Sequence, residues 1–147
     1  MLTFGTFKTL TEASTPDAEL MRLYQTINAE VFDNRAPKDI PVRWGGTGSR
    51  MTMAVTTYKA QRRTKWHDPV TVPGSIAIVI KSIEFQPDVL KGILAHEMIH
   101  AIIANENIRD YGSHGPRFIA MLEVAKKKAN FKIPIKHTTS TEMFPQK

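Results

Sequence analysis

One segment constrains this chain more than any other: Pro87 to about Asn105 reads as a single helix that is apolar on nearly every face. Ile93, Leu94, Ala95, Met98, Ile99, Ala101, Ile102 and Ile103 leave no broad polar stripe for solvent, so the helix belongs inside the protein. Between Ile93 and Ile103 three polar side chains interrupt the apolar run: His96, Glu97 and His100. Burying two imidazoles and a carboxylate is costly unless they have partners or a task. A pair of solvated histidines on a surface helix is therefore the weaker reading.

The spacing says what the task is. His96 and His100 are four residues apart, so a helix stacks them one turn apart on one face, where both can converge on one ion. Glu97 projects near the same place without needing to ligate, as a base and acid that moves a proton during hydrolysis. His-Glu-x-x-His on a helix is a zinc pattern, and a catalytic zinc needs a third protein ligand and one open position. The chain has no cysteine, so thiolate ligands, cysteine nucleophiles and disulfides are excluded. A metzincin pattern would place Gly at 103 and His at 106, but Ile103 and Glu106 stand there. Two candidates remain for the third ligand, His114 and Glu123. His114 is the better, because Gly115 allows a tight turn beside a metal and Pro116 starts the next helix cleanly.

The rest of the chain supplies the frame. A first helix is expected from about Pro16 to Phe32, capped by Ser14 or Thr15, with Leu20, Leu23, Tyr24, Ile27 and Val31 as its apolar stripe. Strands are expected over Ile40–Trp44, Arg50–Tyr58 and Ser75–Ile83, with a projecting loop over Lys59–Pro73. A third helix should run from Pro116 to about Ala129, and a short last strand over Phe131–Lys136. Trp44 reads as core. The order helix, strands, helix, helix argues for an α+β fold in one domain over residues 1–147, with loosely ordered tails at 1–14 and 138–147. A signal segment and a membrane span are not expected, which points to a cytoplasmic protein.

His96-Glu97-Met98-Ile99-His100-Ala101, followed by His114-Gly115-Pro116-Arg117-Phe118, resembles the SprT-like zinc metallopeptidases, and particularly the protease domain of Spartan. The resemblance extends from about Leu20 to His137. It includes Ile27–Phe32, Pro41–Trp44, Arg50-Met51-Thr52 with Ala54, and Ala129–Ile133 with His137-Thr138. It implies a zincin-like fold, a small mostly antiparallel sheet packed on about three helices with the motif on the central one. It also implies that His96, His100 and His114 hold Zn2+, that Glu97 is the general base and acid, and that the substrate is protein. Spartan-like enzymes act on proteins bound or crosslinked to DNA, which makes DNA an implied partner.

The sequence departs from those enzymes in having no cysteine-based zinc ribbon. A DNA contact would have to come from elsewhere in this basic chain, whose formal net charge is +6. Lys59, Arg62, Arg63 and Lys65 crowd one segment beside Tyr58, Trp66 and His67, where cations can hold phosphates and rings can stack on the exposed bases of single strands. Lys126, Lys127 and Lys128 read instead as a solvated helix end. Tyr111, just before His114, is a candidate for stabilising a developing oxyanion. The compact, cysteine-free design is expected of a phage or other mobile-element protein, acting in a host cytoplasm. Two rivals are a nucleic-acid-binding or virion-associated protein that keeps the zinc fold with little turnover, and a zinc hydrolase acting on a non-peptide substrate.

Overall fold

The structure is a computed structural model, and it describes residues 17–48, 51–62, 66 and 69–135. The two expected tails lie outside the described residues, as do Ser14, Thr15 and Pro16. Among the described residues the element order is α1 (Ala18–Val31), β1 (Val42–Gly45), β2 (Ala54–Thr57), β3 (Ala60–Arg62), β4 (Pro69–Thr71), β5 (Ala77–Lys81), α2 (Pro87–Asn105) and α3 (Pro116–Lys128). The fold is α+β, with helices packed on a small mixed sheet. Its strand order is β1-β5-β2, with β1 parallel and β2 antiparallel to β5. The register sets Val42 beside Ile78 and Thr56 on the other side of it. As the central strand, β5 buries side chains on both faces, from Ala77 to Ile80, which explains a run too apolar for a half-exposed strand.

Helix α2 runs through the middle of the core, packed against β2 and β5 and also against α1 and α3. Eleven of its residues are buried, His96 and Glu97 among them. Tyr24, Ile27 and Val31 of α1, Ile78 and Ile80 of β5, and Phe118 and Leu122 of α3 close around it. Each large aliphatic side chain so enclosed contributes about 1.5–3 kcal/mol relative to exposure. Trp44 packs against this core and stacks on Phe85, as its reading as core required.

Three expectations need correction. The cap of α1 is Asp17, whose carboxylate accepts from the Leu20 N–H at 2.9 Å, so the helix starts later than Pro16. Residues 59–73 are not a plain loop. They contain an antiparallel ribbon, β3 with β4, in which Pro69 takes the first position of its strand, where a missing N–H is tolerated. The ribbon is pinned at its base, because the Thr71 N–H donates to Asn107 Oδ1 at 2.7 Å and the Val72 N–H to the Lys59 carbonyl at 2.8 Å. Finally, residues 131–135 form no strand. Pro134 has no N–H for a ladder, and its carbonyl is engaged by His96 at 2.7 Å.

Candidate metal centre

Helix α2 presents His96 and His100 one turn apart, and the turn before α3 brings His114 to them. The three Nε2 atoms form a near-equilateral triangle, with 3.3 Å between His96 and His100, 3.3 Å between His100 and His114, and 3.2 Å between His114 and His96. Three imidazole nitrogens at such distances cannot all pair by hydrogen bonds, because each offers either one N–H or one lone pair. Nitrogens held about 2.0–2.1 Å from one tetrahedral ion stand about 3.3–3.4 Å apart. The triangle therefore fits a metal ion, and the three histidines could hold one.

The surroundings prepare these nitrogens. A carbonyl only accepts, so the Pro134 contact requires His96 Nδ1 to carry the proton and leaves the lone pair on Nε2. Phe118, fully buried, lies under all three rings, with centroid separations of 5.0 Å to His96, 4.6 Å to His100 and 4.8 Å to His114. The approach of residues 132–134 to α2 depends on Gly92, where a Cβ would stand 2.0 Å from the Lys132 carbonyl oxygen. Gly92 is one turn before His96, so the same close approach carries the Pro134 carbonyl to the imidazole.

Glu97 is 1% exposed. Its Oε1 accepts from the Thr56 hydroxyl at 2.7 Å, and its Oε2 lies 4.0 Å from His96 Nε2. A strand residue thus aims the carboxylate beside the three nitrogens without making it a fourth donor in their triangle. Thr56 also sits 3.0 Å from the Glu97 carbonyl oxygen, which ties β2 to this turn of α2.

The loop that carries His114 is organised by Asp110. Its Oδ1 accepts from the Tyr111 and Arg117 N–H groups at 2.9 and 3.1 Å, and its Oδ2 from the Phe118 N–H at 2.8 Å. The residue that caps helix α3, Gly115, has no side chain to bond the first turn, and Asp110 does that work from five residues upstream. Partial desolvation pushes the Asp110 carboxyl up, but the bonds from Phe118, Arg117 and Tyr111 and the Arg117 charge outweigh it and hold the group below the ordinary carboxylate range. Gly115 is needed for space rather than for a special turn. Its φ is −80°, while a Cβ there would lie 2.4 Å from Asp110 Oδ1.

The SprT-like family model matches residues 20–138, most of the chain. The chain belongs to the SprT-like family. Comparison with curated proteins finds no match. SprT-like membership and the histidine triangle together indicate a metallopeptidase-like domain with a place for a metal ion.

Other expected site residues fall elsewhere. Glu123 is exposed and pairs with Lys126 at 3.7 Å, whereas His114 is the residue grouped with His96 and His100. Lys128 pairs with Asp33, in keeping with a solvated helix end. Tyr111 is 90% exposed and lines a cleft with Arg109, Asp110, Pro116 and Arg117; the cleft that His100 lines shares Asp110 with it but does not include Tyr111. Lys59 and Trp66 are exposed, Trp66 at 82%, and Arg62 ends β3; Arg63, Lys65 and His67 lie outside the described residues. Thr56, Asp110, Gly92 and Pro134 are the contributors that sequence reasoning missed. None belongs to a motif, and only a Gly in an otherwise apolar helix could have signalled the close approach at Gly92.

Proposed function

We propose that this protein is a zinc metalloendopeptidase in which His96, His100 and His114 hold the ion and Glu97 is the catalytic base and acid. The observation that carries the reading is the triangle of Nε2 atoms with a buried, Thr56-aimed carboxylate beside it. Bound zinc supplies a Lewis acid for the scissile carbonyl and lowers the pKa of water to about 7. Glu97 accepts a proton from the attacking water and delivers it to the leaving amine. Thr56 fixes the carboxylate rotamer for both transfers, and Pro134 and Phe118 fix the ring planes of the ligands. Tyr111 as an oxyanion stabiliser draws no support from its exposed position.

DNA-associated proteins are the proposed substrates. The net charge of +6 and the placement of the β3–β4 ribbon favour this reading. Tyr58 links the ribbon to β2 and lines the His100 cleft, so the base of the ribbon, with exposed Lys59 beside Tyr58, adjoins the proposed cutting site and offers a cation and a ring to a strand there. No described helix is long and apolar enough to cross a membrane.

The test is incubation with a DNA-bound protein, with and without zinc. Wild type should cleave it, and Glu97→Gln should bind equal zinc while losing cleavage by about 100-fold or more. Full biological activity in Glu97→Gln would favour a binding or virion-associated role and sink the peptidase reading. Salt-sensitive retention on single-stranded DNA, lost in an Arg62→Ala, Arg63→Ala double variant, tests the DNA arm; absence of binding at low salt rejects it.

A further inference from the structure

The cleft that contains His100 has a volume of about 410 Å³, inside the range of about 300–1,000 Å³ usual for ligand pockets. Its lining is divided. Towards the metal centre stand His100 and Thr56, one wall is Val55, Tyr58, Ile103, Ala104 and Ile108, and the loop residues Asp110, Gly112 and Ser113 form the remaining edge. The aliphatic wall is made by the way α2 ends. Asn107 adopts a left-handed φ of 54°, the Asn107 N–H bonds the Ala104 carbonyl at 3.2 Å, and the Ile108 N–H reaches back to the Ile103 carbonyl at 3.0 Å. This is a Schellman turn, with Asn in the position usually held by Gly and an apolar residue at each end of its longer bond. It fixes Ile103 and Ile108 in a cleft that Val55 of β2 also lines.

We propose that this cleft is a side-chain subsite that takes an aliphatic or aromatic residue adjoining the scissile bond of the substrate. The inference deepens the peptidase reading and rests on it. Three polar groups of the lining, Asp110, Thr56 and Ser113, already have partners within the protein, Ser113 Oγ lying 3.3 Å from His114 Nδ1. The Asp110 oxygens accept from three loop amides, and the Thr56 hydroxyl serves Glu97. What a ligand gains here is removal of aliphatic surface from water, which selects for apolar side chains. One cleft holds both a metal-centre histidine and this wall, so a peptide with its reacting carbonyl at the histidines would place the neighbouring side chain against Val55, Ile103 and Ile108.

Hydroxamates chelate zinc and allow the subsite to be read without turnover. Two dipeptide hydroxamates, one with an isobutyl side chain beside the chelating group and one with hydrogen, are titrated into the zinc-loaded Glu97→Gln protein by calorimetry, after its metal content is measured. The isobutyl compound should bind about tenfold tighter or more. That advantage should fall to about threefold or less in Ile108→Asn, and should shrink in Val55→Thr, which keeps the wall's shape while adding a hydroxyl. Equal affinities, no binding of either compound to zinc-loaded protein, or an advantage that survives both variants overturns the subsite. Cleavage by wild type is scored separately. A protein that prefers the isobutyl compound but cuts no protein retains the subsite and loses the peptidase reading.

Discussion

Thr56 and Asp110 do chemistry that no motif announces. The Thr56 hydroxyl is the bond through which β2 aims the Glu97 carboxylate, at 2.7 Å. Thr56→Val keeps the side chain's shape and removes that donor. Zinc content should be unchanged while peptidase turnover falls by about 10–100-fold, as for other outer contacts of metal sites. A parallel loss of zinc would show that Thr56 serves the fold rather than the carboxylate. Asp110 gives a prediction in pH. Its carboxyl titrates below the ordinary range in the folded state, so its contribution to stability is complete above the unfolded value and is lost as pH falls through the lowered one. The melting temperature of Asp110→Asn should therefore lie below that of wild type at pH 7, and the gap should close as the pH drops below about 4. A gap that persists to the lowest pH at which the protein is folded would show that charge is not the cause.

The elements explain why the site is where it is. Helix α2 contributes two histidines and a glutamate, and its neighbours complete the site: β2 aims Glu97, the 132–134 segment orients His96, and the loop before α3 brings in His114, held by Phe118 and Asp110. The helix itself is legible in the sequence because burial on all sides leaves an unmistakable apolar run, and the four-residue histidine spacing survives any small error in its ends. Its neighbours are not legible. Thr56 and Glu97 are 41 residues apart, and His96 and Pro134 are 38 apart. Local periodicity carries no information about such pairs. The cap of α1 fails for another reason. Ser14, Thr15 and Asp17 are all able caps, and propensity cannot choose among them. The ribbon was hidden because its strands span only three residues each. Gly92 gives the element-scale prediction. Gly92→Ala improves helix propensity, yet its methyl would meet the Lys132 carbonyl at 2.0 Å. The 132–134 segment must then withdraw and His96 loses its acceptor, so zinc affinity should fall by about 10–100-fold, measured by competition with a chelating dye. Retained affinity would mean that Pro134 does not orient His96.

At the scale of the whole molecule, the proposed metal centre lies where α2, the 132–134 segment and the loop before α3 meet, while most of the core lies outside it. Leu20, Tyr24, Ile27, Val42, Ile78 and Ile80 pack around α2 with no histidine among them. The protein should therefore stay folded when zinc is removed, unlike small domains whose core is the metal itself. Zinc bound to the native state alone adds RT ln(1 + [Zn]/Kd), about 2.7 kcal/mol at a hundredfold excess over Kd. For a domain of this size that corresponds to a rise in melting temperature on the order of 10 °C. Chelation should lower the melting temperature by that amount without abolishing the far-ultraviolet helix signal at 25 °C, and restored zinc should reverse it. His114→Ala should melt near the chelated wild type and show no further change with chelator, because the two α2 histidines alone cannot close the triangle. If chelation instead melts the secondary structure, the centre is a structural pin as well as a reaction site. If it changes nothing while His114→Ala destabilises, the three histidines pack as neutral rings and hold no ion.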